Sequence, residues 1–124
     1  MQIIISVLLI IVAVIHLLPL SGVLSAKRLT ALYGLSFDEP NLEILMRHRA
    51  VLFGMLGVFF IYAAFEVEHQ PIAFVLGFVS VVSFIWIAWS VGGYNTAVRK
   101  VVVADVVALV CLGIAAVLYS ILNL

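Results

Sequence analysis

Titratable side chains lie inside or beside long apolar stretches of this chain, where an unpaired charge is costly. His16 ends a run of aliphatic residues, Glu43 and Arg47 are one helical turn apart, and Asp105 interrupts another apolar run. A charge at the centre of a bilayer costs about 3 kcal/mol on insertion scales, so such residues are usually paired and often functional. These residue types predict a polar pocket at the inner side of a membrane protein.

We predict that Arg47 is the cationic anchor of this pocket, that Asp105 is its counter-ion and that His16 is its deepest polar group. Glu43 is placed to pair with Arg47 along one helix face, because the two residues are four positions apart. A pocket of this kind suits an amphipathic small molecule with an anionic or carbonyl head group. The third apolar stretch is expected to supply the wall of the pocket through Ser80, Ser83, Trp86 and Tyr94.

The same residues also allow a purely structural interpretation. Arg47 and Asp105 could be boundary charges that contact lipid head groups and hold two helices in register. His16 could simply form a hydrogen bond with a neighbouring serine or carbonyl, since such bonds commonly join membrane helices. The sequence leaves both interpretations open.

Other kinds of chemistry lack the residues they need. His16, His48 and His69 show no ligand spacing, and the phosphate-loop, dinucleotide-binding and hydrolase motifs are absent, so we predict no metal centre and no cofactor. Cys111 is the only cysteine and cannot form an internal disulfide. The formal net charge of zero argues against nucleic acid as a partner.

The composition predicts an integral membrane protein. Hydrophobic residues make up 67% of the 124 residues, charged residues make up 10%, and the mean hydropathy is +1.39. A soluble chain of this size could not bury so much apolar surface inside itself. We therefore predict an all-α four-helix membrane bundle as a single domain over 1–124, with a connector at 24–40. The predicted spans are approximately 2–23, 41–65, 72–91 and 101–122.

Two boundaries of these spans have specific sequence signals. Pro19 is expected to kink or end the first span early. Asp38 is expected to cap the second span, with Pro40 in its first turn, while Ser36 and Glu39 offer a competing capping box.

Basic residues occur only in connections that four crossings would place on one side of the membrane. The opposite connection, 66–71, contains no lysine or arginine. Because basic loops remain cytoplasmic, we expect both termini outside and the basic connectors inside a plasma membrane of the bacterial inner-membrane type. The six basic residues are Lys27, Arg28, Arg47, Arg49, Arg99 and Lys100.

Small residues at helical spacing predict which side of each helix faces the bundle. On the second span, Arg47 shares a face with Gly54 and Gly57, so it is expected to point inward. Arg49 is turned about 200° from Arg47 and is expected to reach lipid head groups. On the third span the expected inward stripe is Ala73, Ser80, Ser83, Ile87, Ser90 and Tyr94.

The region from Leu32-Tyr33-Gly34 through 41–50 to Gly54 and Gly57 resembles the second-helix region of small bacterial membrane proteins of the DoxX-like group. Those are four-helix proteins of similar length that often carry an arginine followed by a glycine stripe at this point. Some members are membrane subunits linked to quinone-dependent sulfur oxidation. The resemblance implies an inner-membrane four-helix fold and an important role for Arg47.

These features favour a subunit that binds a quinone- or lipid-like molecule, or an accessory subunit that binds a membrane partner. They favour a non-enzymatic role. A small proton-coupled transporter is an alternative, because the segment 86–93 resembles the third helix of the small multidrug resistance family. Those transporters use a glutamate in the first helix, where this chain has His16 instead. A lipid-modifying membrane enzyme with His16 and Asp105 as proton carriers is a further alternative. Membrane lipids are the expected surroundings, and a homodimer or a larger membrane complex is compatible with the sequence.

Overall fold

The computed structural model describes residues 1–23, 25–36 and 38–123, which form helices and no strand. This confirms the all-α fold class. Four of the described helical segments are long and apolar enough to cross a membrane. The helices are α1 (Gln2–Leu17), α2 (Ala26–Tyr33), α3 (Pro40–Phe65), α4 (Gln70–Val91) and α5 (Thr96–Leu122), with 3₁₀ segments at Leu18–Val23 and Val67–His69.

The first span ends early, as Pro19 predicts: the α-helix stops at Leu17 and continues as a 3₁₀ segment. The connector predicted at 24–40 contains an additional helix, α2, that is absent from the predicted spans. Two residues of that connector, Leu24 and Phe37, lie outside the described residues.

The cap of α3 differs from the predicted one. Glu39 is the N-cap, and its carboxylate accepts a hydrogen bond of 2.9 Å from the backbone N–H of Leu42. This bond lowers the pKa of the Glu39 carboxyl below its ordinary value. Asp38 instead accepts a hydrogen bond from the hydroxyl of Ser36. The predictions of an Asp38 cap and of a Ser36 capping box are therefore wrong, because Ser36 and Asp38 bond to each other.

The bundle is organised around α1, which packs against both α3 and α5, while α4 packs mainly against α5. Gly57 permits the close approach of α1 and α3, since a Cβ atom there would lie 2.6 Å from Leu17 Cγ and 3.1 Å from the Ala13 carbonyl. Gly77 does the same for α4 and α5, where a Cβ atom would lie 2.8 Å from Leu112 Cδ1. Without a hydrophobic driving force in lipid, such close contacts stabilise helix association.

The predicted inward face of α3 holds at Gly54 and Gly57 but not at Arg47, and the predicted face of α4 holds only in part. The small residues Ala108, Cys111 and Ala115 of α5 are buried, as are Leu9, Ala13 and His16 of α1 and the glycines of α3. On α4, Ser83, Ile87 and Ser90 are exposed, as is Tyr94 after the end of the helix, so the predicted stripe is wrong beyond Ser80. The buried face of α4 is Gln70, Ala73, Phe74, Gly77 and Val81.

A second, smaller hydrophobic cluster lies apart from the bundle core. Leu29 and Tyr33 of α2 are its buried residues, and Met46 of α3 with Val98 and Val101 of α5 pack against them. The spacing of Leu29 and Tyr33 places both on one face of α2. This cluster holds α2 against the ends of α3 and α5.

Candidate ligand-binding site

A cavity of about 250 Å³ lies where the end of α1 and its 3₁₀ segment meet α2, α3 and α5. Five polar side chains line it: His16, Tyr33, Arg49, Lys100 and Asp105. The rest of the lining is apolar or small, and consists of Ile15, Leu18, Pro19, Ala31, Leu32, Phe53, Ala97, Val101 and Ala104. An apolar cavity with a few convergent polar groups is the usual form of a small-molecule site.

Arg49 is the cation of this cavity, and aromatic rings surround it. Its guanidinium carbon lies 4.3 Å from the ring centre of Phe53, 5.5 Å from that of Tyr33 and 5.7 Å from that of Phe84. The aromatic faces attract the cation, which helps to offset its removal from water. Nη1 donates a 2.5 Å hydrogen bond to the Tyr33 hydroxyl.

Among the described residues, a single acceptor uses the hydrogen-bonding capacity of Arg49. A guanidinium carries several N–H donors in a fixed fork. Within the described part of the chain, the Tyr33 hydroxyl is the acceptor that Arg49 contacts. The remaining donors belong to a side chain that lines the cavity, so an acceptor oxygen placed in the cavity could bond to them.

Asp105 lines the same cavity as Arg49. No ion pair joins these two side chains among the described residues. Two oppositely charged side chains therefore line the same cavity without forming an ion pair across it. Lys100, at the start of α5, adds a second cation to the lining.

His16 is buried, and both of its ring nitrogens are hydrogen-bonded. Nδ1 lies 2.9 Å from the Val12 carbonyl and Nε2 lies 2.9 Å from the Ser80 hydroxyl. Because a carbonyl only accepts, Nδ1 carries the proton, and the neutral ring accepts the Ser80 hydroxyl at Nε2. The Phe60 ring packs edge-on against the imidazole at 4.9 Å. The interpretation of His16 as a histidine bonded to a serine and a carbonyl is confirmed, and the residue also lines the cavity.

The predicted orientations of Arg47 and Arg49 are wrong. Arg47 lies outside the cavity lining, with 43% of its side chain exposed and Nη1 3.8 Å from Glu43 Oε1. Glu43 is likewise outside the cavity, so only its pairing with Arg47 is confirmed. The reason is that the face of α3 carrying Arg49 points into the protein: Tyr33 of α2 and Phe84 of α4 lie against its guanidinium, and Phe60 on the same side of the helix is fully buried.

The predicted wall of the pocket is also wrong. Ser83, Trp86 and Tyr94 do not line the cavity, and Trp86 is 64% exposed on the outer side of α4. The Ser83 hydroxyl bonds to the Ser80 carbonyl of its own helix at 3.1 Å. Of the predicted wall, Ser80 alone contacts a residue of the site, through His16.

Three residues of the site were missed from the sequence: Tyr33, Arg49 and Lys100. A signal for Tyr33 exists, since Leu29, Leu32 and Tyr33 have the spacing of an amphipathic helix and Gly34 is a helix-ending residue. No local signal brings Lys100 to this site, because its position depends on how α5 packs against α2.

No protein-family model, no curated protein and no solved structure matches the chain. The resemblance to the DoxX-like group thus stays a prediction. Among the described residues, no group of histidine, cysteine and acidic side chains is arranged to hold a metal ion. The function has to be argued from the cavity itself.

Proposed function

We propose that this chain is a small integral membrane protein that binds an amphipathic, quinone- or lipid-like molecule, as a binding or accessory subunit of the membrane. The observation that carries the proposal is Arg49. It is a cation within a membrane-spanning segment, it lines a largely apolar cavity, and its guanidinium has one protein acceptor among the described residues. A ligand with an acceptor oxygen would supply the missing partner.

The lining of the cavity supports a ligand with a small polar head and an apolar body. A carbonyl or anionic oxygen would accept hydrogen bonds from Arg49, and charge-assisted bonds of this kind are stronger than neutral ones. Asp105 would accept a hydrogen bond from a hydroxyl of the same head group. A volume of about 250 Å³ suits one ring or one head group, so the hydrocarbon chain of a lipid would extend into the bilayer.

We further propose that the cavity opens towards the cytoplasmic side of a bacterial inner membrane, with both termini outside. The support is the charge pattern. Lys27 and Arg28 belong to α2, Arg47 and Arg49 to the early turns of α3, and Lys100 to the first turns of α5. These segments meet at the end of the bundle that holds the cavity, and basic residues mark the cytoplasmic side.

A small proton-coupled transporter is the second candidate function. The observation in its favour is that two titratable groups, His16 and Asp105, line the same cavity as a fixed cation. A lipid-modifying enzyme is less well supported, because both ring nitrogens of His16 already bond to Val12 and Ser80. As a proton carrier, His16 would have to break one of those bonds.

The first prediction compares two arginines on the same helix. Replacing Arg49 with leucine should weaken binding by about 10- to 100-fold, the factor expected when hydrogen bonds to a charged group are lost. Arg47→Leu is the matched control and should leave binding unchanged, because Arg47 lies outside the cavity. Native mass spectrometry of the detergent-solubilised protein would report a co-purified molecule, and equilibrium titration with decylubiquinone would report affinity.

Equal losses in both arginine variants would contradict the proposal, as would a wild-type protein that retains no molecule and binds no decylubiquinone.

Asp105→Asn separates the two candidate functions. A binding subunit with this substitution should still bind the probe, whereas a proton-coupled transporter should lose movement of its substrate driven by a pH gradient in vesicles.

A further inference from the structure

The short helix α2 covers the cavity and packs apart from the main core of the bundle. It contributes Ala31, Leu32 and Tyr33 to the lining. Its buried residues, Leu29 and Tyr33, belong to the small cluster with α3 and α5 and not to the main core. Segments held by few buried contacts open at a lower free energy than the core of a protein.

One side chain joins α2 to the start of α5. Asn95 Oδ1 accepts a 2.8 Å hydrogen bond from the backbone N–H of Val98 and so caps α5. Asn95 Nδ2 donates a 2.8 Å hydrogen bond to the backbone carbonyl of Tyr33, the last residue of α2. The nitrogen of the Asn95 amide therefore bonds to α2, while the oxygen of the same amide bonds to α5.

The geometry next to this amide explains why the contact is close. Gly34 follows Tyr33 with φ 67°, a left-handed conformation that lets the chain turn away directly after the helix. A Cβ atom at Gly34 would lie 3.2 Å from Asn95 Nδ2 and 3.4 Å from the Cβ atom of Ala97. The glycine leaves room for the Asn95 amide to reach the end of α2.

Tyr33 connects this amide to the cavity. Its carbonyl accepts from Asn95, and its hydroxyl accepts from Arg49. A movement of α2 away from both α3 and α5 would withdraw the Tyr33 ring from the guanidinium of Arg49 and expose the cavity. The contacts form one chain from Asn95 through Tyr33 to Arg49.

We propose that α2 is a lid over the cavity and that the amide nitrogen of Asn95 is the latch that holds it closed. Opening of the lid lets the ligand enter and leave, and Asn95 acts as a positioning residue through Tyr33. The passage of a ligand rests on the function proposed above. The latch itself is independent of any ligand and is tested without one.

The test replaces Asn95 with aspartate. Aspartate retains an oxygen that caps α5 but loses the N–H donor to Tyr33, and the negative charge that it adds is favourable at the N-terminus of α5. Asn123→Asp is the matched control, because Asn123 Nδ2 also donates to a backbone carbonyl, that of Tyr119 at 2.8 Å, at the far end of α5. Hydrogen exchange of both variants is measured by mass spectrometry in lipid nanodiscs.

We expect amide exchange in α2 to become about 5-fold faster in Asn95→Asp, the factor for one hydrogen bond of typical net strength. Exchange in the first turns of α5 should stay within two-fold of wild type, and Asn123→Asp should leave α2 unchanged. An unchanged α2 in Asn95→Asp, or an equal rise in α2 and α5, would overturn the latch.

The second part of the test measures the release of a ligand, for which decylubiquinone is the probe. Its release should accelerate in Asn95→Asp by the same factor as the exchange of α2. Faster exchange of α2 with unchanged release would overturn the lid. If wild type binds no decylubiquinone, the proposed function fails, while the latch is still decided by exchange alone.

A second variant covers the case in which Asn95→Asp does not fold. Gly34→Cys with Ala97→Cys would place the two Cβ atoms about 3.4 Å apart, close to the spacing of a disulfide. A side chain at Gly34 is strained at φ 67° and lies against the Asn95 amide, so the reduced form of the same variant is the reference. The oxidised protein should release decylubiquinone at least about ten-fold more slowly than the reduced protein, because the disulfide would keep α2 closed. Equal release rates in the two states would overturn the lid.

Discussion

Arg47 and Arg49 show how two identical side chains, two positions apart on one helix, acquire different environments. Arg47 pairs with Glu43 at the surface, while Arg49 lies among aromatic rings and lines the cavity. Helical geometry correctly predicts that they point in different directions, because two residues span about 200°. It does not say which direction meets protein, and Tyr33 of α2 decides that.

The hydrogen bond between His16 and Ser80 provides a prediction at the residue scale. Ser80→Ala should lower the free energy of unfolding by about 1–3 kcal/mol, because it leaves Nε2 of a buried histidine without a partner. Ser83→Ala is the matched control and should change it by less than about 0.5 kcal/mol, since the Ser83 hydroxyl is exposed and bonds within α4.

Reversible unfolding in mixed detergent micelles would measure both serine variants. A loss for Ser83→Ala as large as that for Ser80→Ala would mean that the bond to His16 contributes nothing of its own. The imidazole signals in NMR spectra should move only in Ser80→Ala, and their movement in both variants would count against the assigned contact.

At the scale of elements, four helices can be recognised from their apolar composition, whereas the position of α2 depends on its packing against other helices. The apolar stretches of α1, α3, α4 and α5 are each long enough to be recognised in the sequence, because lipid requires long apolar helices. α2 has eight residues and a mixed composition. The spacing of Leu29 and Tyr33 predicts its buried face, but its position depends on Met46, Val98 and the Asn95 amide, which belong to other segments.

The glycines give the prediction at this scale. Gly57→Ala should destabilise the bundle by about 1–3 kcal/mol, because the new Cβ atom would meet Leu17 and the Ala13 carbonyl where α1 and α3 approach most closely. Gly113→Ala should be neutral or stabilising by up to about 1 kcal/mol, since nothing lies within 4 Å of its Cβ position and alanine favours the helix.

Thermal unfolding in detergent would measure both glycine variants. If Gly113→Ala proved as damaging as Gly57→Ala, Gly113 would have to face a partner, such as a second copy of the chain, rather than lipid.

At the scale of the whole molecule, the charge pattern predicts how the bundle is oriented in the membrane. The described cations Lys27, Arg28, Arg99 and Lys100 are exposed, and α2 and the start of α5 place them at one end of the bundle. The connection at the opposite end, 66–71, has acidic residues and no cation. This asymmetry predicts a single orientation rather than a mixture of two.

Labelling of introduced cysteines in intact cells would test the orientation. A cysteine at Glu68 should react with a membrane-impermeant maleimide, because we expect this exposed position to be outside. A cysteine at Arg28 should react only after the cells are permeabilised. The opposite result, or labelling of both positions in intact cells, would contradict the proposed topology. The native Cys111 is buried and serves as the unreactive background.

The sequence by itself determined the helical class, the number of helices able to cross a membrane and the buried glycine face of α3. It could do so because burial in lipid depends on local composition and helical period. Only the tertiary structure decided the site, since Tyr33, Arg49, Lys100 and Asp105 come from three helices. The physical reason is that the side chain covering a given helix face belongs to another element, here α2. The spacing of residues along one helix does not show which other element packs against it.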